Sequence, residues 1–136
     1  MNEPETIKAA LENSKTIAVV GISNKPDRPS YRVAAEMQRR GYRIVPVNPM
    51  LKEVLGEASY PSLREIPFPV DIVDVFRAPE FVPEIAEDAI AMGAKYLWLQ
   101  EGVGHPEAIA HAEASGLQVV ADRCIYKEHV RWQTGR

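Results

Sequence analysis

A chain of 136 residues with 46% hydrophobic content is one domain's worth of sequence, read here as a single domain over 1–136 that buries roughly two thirds of its unfolded surface. Its 16 basic and 19 acidic side chains leave a formal charge of -3, so it has no broad positive field and no nucleic acid is expected as a partner. The one cysteine, Cys124, excludes an internal disulfide, and no apolar run approaches the roughly 20 residues that span a bilayer, so no membrane partner is expected and the location is read as cytoplasmic.

Residues Glu3 to Asn13 read as a leading helix, with Pro4 suited to the first turn and Ile7, Ala10 and Leu11 on one face, lying over a sheet edge. Ile17 to Val20 is a β-branched run closed by Gly21, and a loop carrying Lys25 and Arg28 follows. Ser30 is expected to cap the next helix, which buries Val33, Ala34 and Met37, carries Arg39 and Arg40 in its last turn and stops at Gly41. Tyr42 to Val47 is the second strand, with Pro46 near its end, and Asn48-Pro49 turns the chain. From Met50 to Pro69, four breakers (Gly56, Pro61, Pro67 and Pro69) interrupt any period. Short helical turns packed by Val54, Leu55, Leu63 and Ile66 are expected there.

Val70 to Phe76 is a near-continuous apolar run of the kind buried on both faces of a parallel sheet. Pro79 opens a helix with Val82, Ile85, Ala86 and Ala89 inward, closed by Gly93. Lys95 to Leu99 is a fourth strand, Pro106 to Ser115 a helix ended by Gly116, and Leu117 to Ala121 a fifth strand; the tail after Ile125 has no assigned structure. Strands alternating with helices predict an α/β, Rossmann-like, doubly wound parallel five-stranded sheet with helices on both faces. Its strand carboxyl ends would gather five loops along one edge: Gly21 to Arg28, Val47 to Met50, Phe76 to Pro79, Gln100 to His105 and Asp122 to Cys124. That edge is where open α/β sheets bind ligands.

The first loop favours an anion. Unpaired N–H groups at a helix start attract negative charge, and Lys25, Arg28 and Arg32 stand beside it. The loop Gly21-Ile22-Ser23-Asn24-Lys25-Pro26 carries a single glycine, and the second strand ends Val47-Asn48-Pro49 without a carboxylate, so ordinary nicotinamide binding is disfavoured. The Walker pattern is absent too. Lysine and arginine without a ribose-binding acid suit a ligand with an extra phosphate beside its ribose, and on charge alone NADP and coenzyme A fit equally. A small NADP-linked oxidoreductase is therefore the alternative reading.

The stretches VVGISNKPDRPSYRV, GYRIVPVNP, VLGEASYPSLREIP, VDIVDVFRAPEFVPEI, KYLWLQEGV and GLQVVADRCI cover nearly the whole chain in order. They resemble the small stand-alone CoA-binding proteins, which are related to the CoA-binding domain of the succinyl-CoA synthetase α subunit and of acyl-CoA synthetases. The resemblance implies non-catalytic binding of CoA or an acyl-CoA across the strand carboxyl ends. It implies that Gly21, Ile22, Ser23 and Lys25 lie against the phosphates and ribose, that Val47, Asn48 and Pro49 border the nucleotide, and that Phe76-Arg77-Ala78 and Gln100-Glu101-Gly102 line the rest of the groove. Arg28 and Ser30 are added from charge and capping geometry.

In the synthetases the phosphorylated histidine and the nucleotide-activating parts lie outside this domain, so catalysis by the chain alone is not expected. A ligase partner subunit is a second possible role, and a two-fold dimer is the default assembly for a small soluble protein. Plainer roles stand beside the functional ones: Arg77 as an ion-pair partner of Asp74 or Glu80, Trp98 and Cys124 as core, and His105 as a helix cap. No metal site is read from the three histidines.

Overall fold

A computed structural model describes residues 1–135 of the chain. Helix α1 (Pro4–Asn13) leads into strand β1 (Thr16–Val20), helix α2 (Pro29–Arg39) and strand β2 (Arg43–Val47). A small hairpin of β3 (Glu53–Val54) and β4 (Glu57–Ala58) follows, then a single 3₁₀ turn at Leu63–Glu65 and strand β5 (Ile72–Val75). A second 3₁₀ turn, Pro79–Phe81, runs into helix α3 (Val82–Ala91). Strand β6 (Tyr96–Leu99), helix α4 (Pro106–Ala114), strand β7 (Gln118–Val120) and helix α5 (Ile125–Thr134) complete the order.

Five strands form one parallel sheet in the order β2-β1-β5-β6-β7. The chain steps from β1 outward to β2 and then returns to the other side of β1, so the direction of winding reverses between β1 and β5. In doubly wound sheets the crevice opens at such a point, where the two flanking connections leave on opposite faces.

Strand alternation divides the core into two layers. Ala18, Val20, Val45, Val47, Val73, Val75, Leu97 and Leu99 point to one face, under Ile85, Ala86 and Ala89 of α3 and Ala112 of α4. Ile17, Val19, Ile44, Ile72, Trp98 and Val120 point to the other, under Leu11 of α1, Ala34 and Met37 of α2 and Ile125 of α5. Burying each large aliphatic or aromatic side chain contributes about 1.5–3 kcal/mol, and both layers are continuous from edge to edge. Trp98 is core, with its indole N–H donating to the Arg123 carbonyl at 2.9 Å.

The expected helices and strands are present, with three differences. Ser30 does not cap α2: the helix starts at Pro29 with Arg28 in the cap position, and the serine hydroxyl is used elsewhere. The segment after Pro49 forms the β3–β4 hairpin rather than helical turns alone. Its two central residues, Leu55 and Gly56, both hold positive φ, at 56° and 77°, the geometry that matches the twist of a two-residue hairpin. Leucine is unusual there, and the Gln38 side-chain amide donates to the Leu55 carbonyl at 3.1 Å. The tail from Ile125 is α5, which packs against α2 and α1.

Pro46 lies inside β2, which is an edge strand where the missing N–H breaks no ladder. Its carbonyl accepts the Tyr60 N–H at 3.0 Å. At the opposite edge, the Asn2 side chain donates to the Ala121 carbonyl and accepts the Ala121 N–H, both at 2.8 Å, holding the start of the chain over β7 as α1 was expected to lie. No helix among the described residues is long and apolar enough to cross a membrane.

Candidate functional site

The site is built where β1 and β5 end side by side. Gly21 closes β1 with φ of +86°, and its N–H donates to the Val47 carbonyl at 3.0 Å. A Cβ at this position would lie 2.6 Å from the Phe76 carbonyl oxygen and 2.8 Å from the Arg77 Cδ. Backbone conformation and the close passage of the β5 loop both demand glycine here. The glycine therefore lets two loops of the strand edge meet.

Hydroxyls then fold the first loop back onto α2. The Ser30 Oγ accepts the Ser23 N–H at 2.9 Å, and the Ser23 Oγ accepts the Lys25 N–H at 3.0 Å. Because Pro29 has no N–H and Arg32 bonds back to Arg28, the N–H groups of Ser30 and Tyr31 are the ones left open at the helix mouth. Lys25, Arg28 and Arg32 are exposed beside this mouth, and none forms an ion pair among the described residues. A doubly ionised phosphate placed there would meet unneutralised positive charge and aligned donors.

Asn48 joins the second loop to the first. Its Nδ2 donates to the Ile22 carbonyl at 2.8 Å, and its Oδ1 accepts the Met50 N–H at 2.8 Å. Asn48 and the cationic loop are thus on the same edge. Each end of its amide makes one bond to the protein, which leaves one amide hydrogen and one acceptor site on Oδ1 for a ligand. The Ile22 side chain is wholly buried, so only its backbone can face the crevice.

A cleft of about 440 Å³ opens between the β1, β5 and β6 ends, lined by Phe76, Arg77, Gln100 and Glu101 together with Pro29, Val33, Val103 and Cys124. Arg77 forms a wall between it and a smaller hollow of about 150 Å³ that includes Val47 and Pro49. The guanidinium lies 3.9 Å from the Phe81 ring centroid and pairs with neither Asp74 nor Glu80, so its charge stays available to the edge. Glu101 reaches across to Lys127 at 3.0 Å, and the Gly102 N–H donates to the Asp122 Oδ1 at 2.8 Å. Ala78 is exposed and precedes the 3₁₀ turn at the base of the Arg77 wall. From the cleft a wider groove of about 740 Å³ runs along α2 past Tyr31 to Tyr126 on α5.

Of the residues read from the sequence, Phe76, Arg77, Gln100 and Glu101 converge on the larger cleft, and Val47 and Pro49 on the smaller one. Gly21, Ser23 and Ser30 shape the first loop, while Lys25 and Arg28 stand at its rim. Sequence reasoning missed Pro29, Val33 and Val103 as lining groups; they look like ordinary helix and loop residues and only the crossover brings them to the cleft. Cys124, read as core, is buried and also borders the cleft. His105 caps α4 as expected, its Nδ1 accepting the Ala108 N–H at 3.1 Å.

The residue beneath the site is Asp74. It lies on β5, is 1% exposed, and accepts a bond from the Gln100 Nε2 at 2.6 Å. Burial pushes its carboxyl up to about 7, and the Gln100 bond opposes that rise.

Over 123 residues the chain is 45% identical to the Bacillus subtilis protein YneT, described as uncharacterized, covering 90% of this chain and 91% of that one. It is 27% identical to the alpha subunit of the Pyrococcus furiosus ADP-forming acetate–CoA ligase II, covering 83% of this chain and 27% of the subunit, so it spans about a quarter of that relative. A hypothetical protein from Pyrococcus horikoshii OT3 superposes with a TM-score of 0.93 at 40% identity, covering 96% of this chain and 92% of that one. The model of the CoA binding domain matches residues 15–130, and by that match the chain belongs to the CoA-binding domain family.

Proposed function

We propose that this protein holds coenzyme A, free or acylated, at the carboxyl edge of its sheet without transforming it. The observation that carries the reading is the unpaired set Lys25, Arg28 and Arg32 around the α2 mouth, next to a second strand that ends in Asn48 instead of a carboxylate. The phosphates take the helix mouth with Gly21, Ser23, Lys25, Arg28 and Ser30. The adenosine borders Val47, Asn48 and Pro49, and the pantetheine arm crosses the Arg77 wall toward Phe76, Ala78, Gln100, Glu101 and Gly102. No nucleophile with an oriented base stands in the cleft among the described residues, which favours holding over chemistry.

Calorimetry with CoA, dephospho-CoA, NADP, NAD and ATP tests the reading. CoA should bind tightest, and Lys25→Ala should weaken CoA roughly fivefold to tenfold while changing dephospho-CoA little. Tighter binding of NADP, NAD or ATP than of CoA would reject it. A second reading, as the CoA-holding subunit of a split acyl-CoA ligase, is favoured by the likeness to the Pyrococcus furiosus alpha subunit. Co-purification with an ATP-grasp chain from the native cell would support it, and a solitary particle would count against it.

A further inference from the structure

The buried pair Asp74–Gln100 has no part in the phosphate end of the site, yet Gln100 lines the cleft at the other end with Asp74 bonded behind it. Asp74 stands opposite Trp98 in the β5–β6 register and opposite Val19 in the β1–β5 register. Gln100 follows β6 by one residue, so its side chain falls on the same face of the sheet two positions beyond Trp98. Only 4% of Gln100 is exposed, and it borders the cleft. Its Nε2 is committed to the Asp74 carboxylate. Its Oε1 has no protein partner among the described residues, in a side chain more than nine-tenths buried.

An ionised carboxylate can only accept hydrogen bonds. Facing one, the Gln100 amide has a single satisfactory orientation, with nitrogen to Asp74 and oxygen to the cleft. We propose that Asp74 is a positioning residue that locks the Gln100 oxygen toward the cleft, making Gln100 an acceptor for a ligand group that carries an N–H. This rests on the CoA reading, in which the pantetheine arm lies at that end and its amides supply the N–H. Selection follows from the cost of leaving a buried acceptor unpaired: a ligand that fills the cleft without a donor forfeits that bond and the water it displaced.

Protonation of Asp74 releases the lock, because a carboxylic acid both donates and accepts and so tolerates either orientation of the amide. Few other charges act on Asp74. From β1 it faces Val19, from β6 Trp98, and from α2 the buried Ser30, Ala34 and Met37, none of which titrates. From α5 and the Cys124 cap before it the buried titratable groups are Cys124, Glu128 and His129; Glu128 pairs with Arg131 and the His129 ring meets Arg40. At the rim the charged groups are Arg77, stacked on Phe81, and Glu101, paired with Lys127. The tyrosines of the layer are Tyr42 and Tyr96, with Tyr31 and Tyr126 packed against it.

The test compares CoA with adenosine 3′,5′-bisphosphate, which has the phosphates and adenosine but no pantetheine arm. Gln100→Met keeps the size of the side chain and removes the acceptor; it should weaken CoA roughly threefold to tenfold and leave the bisphosphate unchanged. Asp74→Asn, near-isosteric, should also weaken CoA selectively and abolish the pH dependence of the ratio between the two ligands, which in the wild-type protein rises through about pH 7. Circular dichroism confirms that each variant is folded. Equal losses for both ligands, or no loss for CoA, would overturn the inference while leaving CoA binding intact. A wild-type protein that binds the bisphosphate but not CoA more tightly would overturn the inference through its premise.

Discussion

Replacing Asp74 with asparagine preserves the side-chain volume and removes the charge, so it should change how stability follows pH. The carboxyl is 1% exposed, and burial raises it from 3.8 to about 7. Between those values the folded chain keeps a proton that the unfolded chain has released, so acid favours folding and stability falls as pH rises. The slope from this one group is about 1.4 kcal/mol per pH unit. Above about pH 7 both states are ionised and the accumulated cost levels off at roughly 4 kcal/mol, an upper figure because the interior relaxes around a buried charge. In the Asp74→Asn variant this slope is absent. Other groups also titrate, so the quantity to read is the difference between variant and wild type. Urea unfolding followed by circular dichroism at about pH 5, 6, 7 and 8 gives that difference. It should shift toward the variant by about 2–3 kcal/mol from pH 5 to 7 and then flatten. A difference that stays constant across the range would refute the account of a strained buried carboxylate.

Two further outcomes follow from the geometry. Gly21→Ala should cost on the order of 2–4 kcal/mol of folding stability, because it combines a positive φ with a Cβ 2.6 Å from the Phe76 carbonyl oxygen; a loss under about 1 kcal/mol in urea unfolding would show that the two loops part easily. Burial, with Arg40 beside it, holds His129 below its ordinary value, so the unfolded chain takes up this proton first and the contribution of the neutral ring is lost as pH falls below about 6.5. His129→Gln should flatten that acid limb of the stability profile, and an unchanged limb would place the titration elsewhere.

The sheet was legible because its strands are short apolar runs, β-branched in all but the Tyr-Leu-Trp-Leu of β6, with glycine or proline in the turns between elements, and the alternation with helices leaves little choice of topology. The hairpin at Leu55-Gly56 was not. Its turn lacks the Asn-Gly or Asp-Gly signal, and leucine at positive φ is sustained by a long-range bond from Gln38 that no local pattern reveals. Ser30 misled for a related reason: a serine before an apolar-periodic segment reads as a cap, yet Pro29 already begins the helix and the hydroxyl serves Ser23. The rim of the candidate site was visible as charge in one loop. Gln100 was read as a lining residue, but its pairing with Asp74 was not, because Asp74 sits in VDIVDVF, a run that reads as a buried strand, and the two are separated by 26 residues.

The two ends of the sheet have a consequence for how this protein can meet others. Along β2 the residues facing outward are Ile44 and Pro46; the proline has no hydrogen to offer and its oxygen is already taken by Tyr60. Along β7 they are Val119 and Ala121, and Asn2 occupies both groups of the alanine. Among the described residues each border therefore leaves a single residue with free main-chain groups, too little to template a strand from a neighbouring molecule. Strand-to-strand pairing with a neighbouring molecule is thereby disfavoured at both borders.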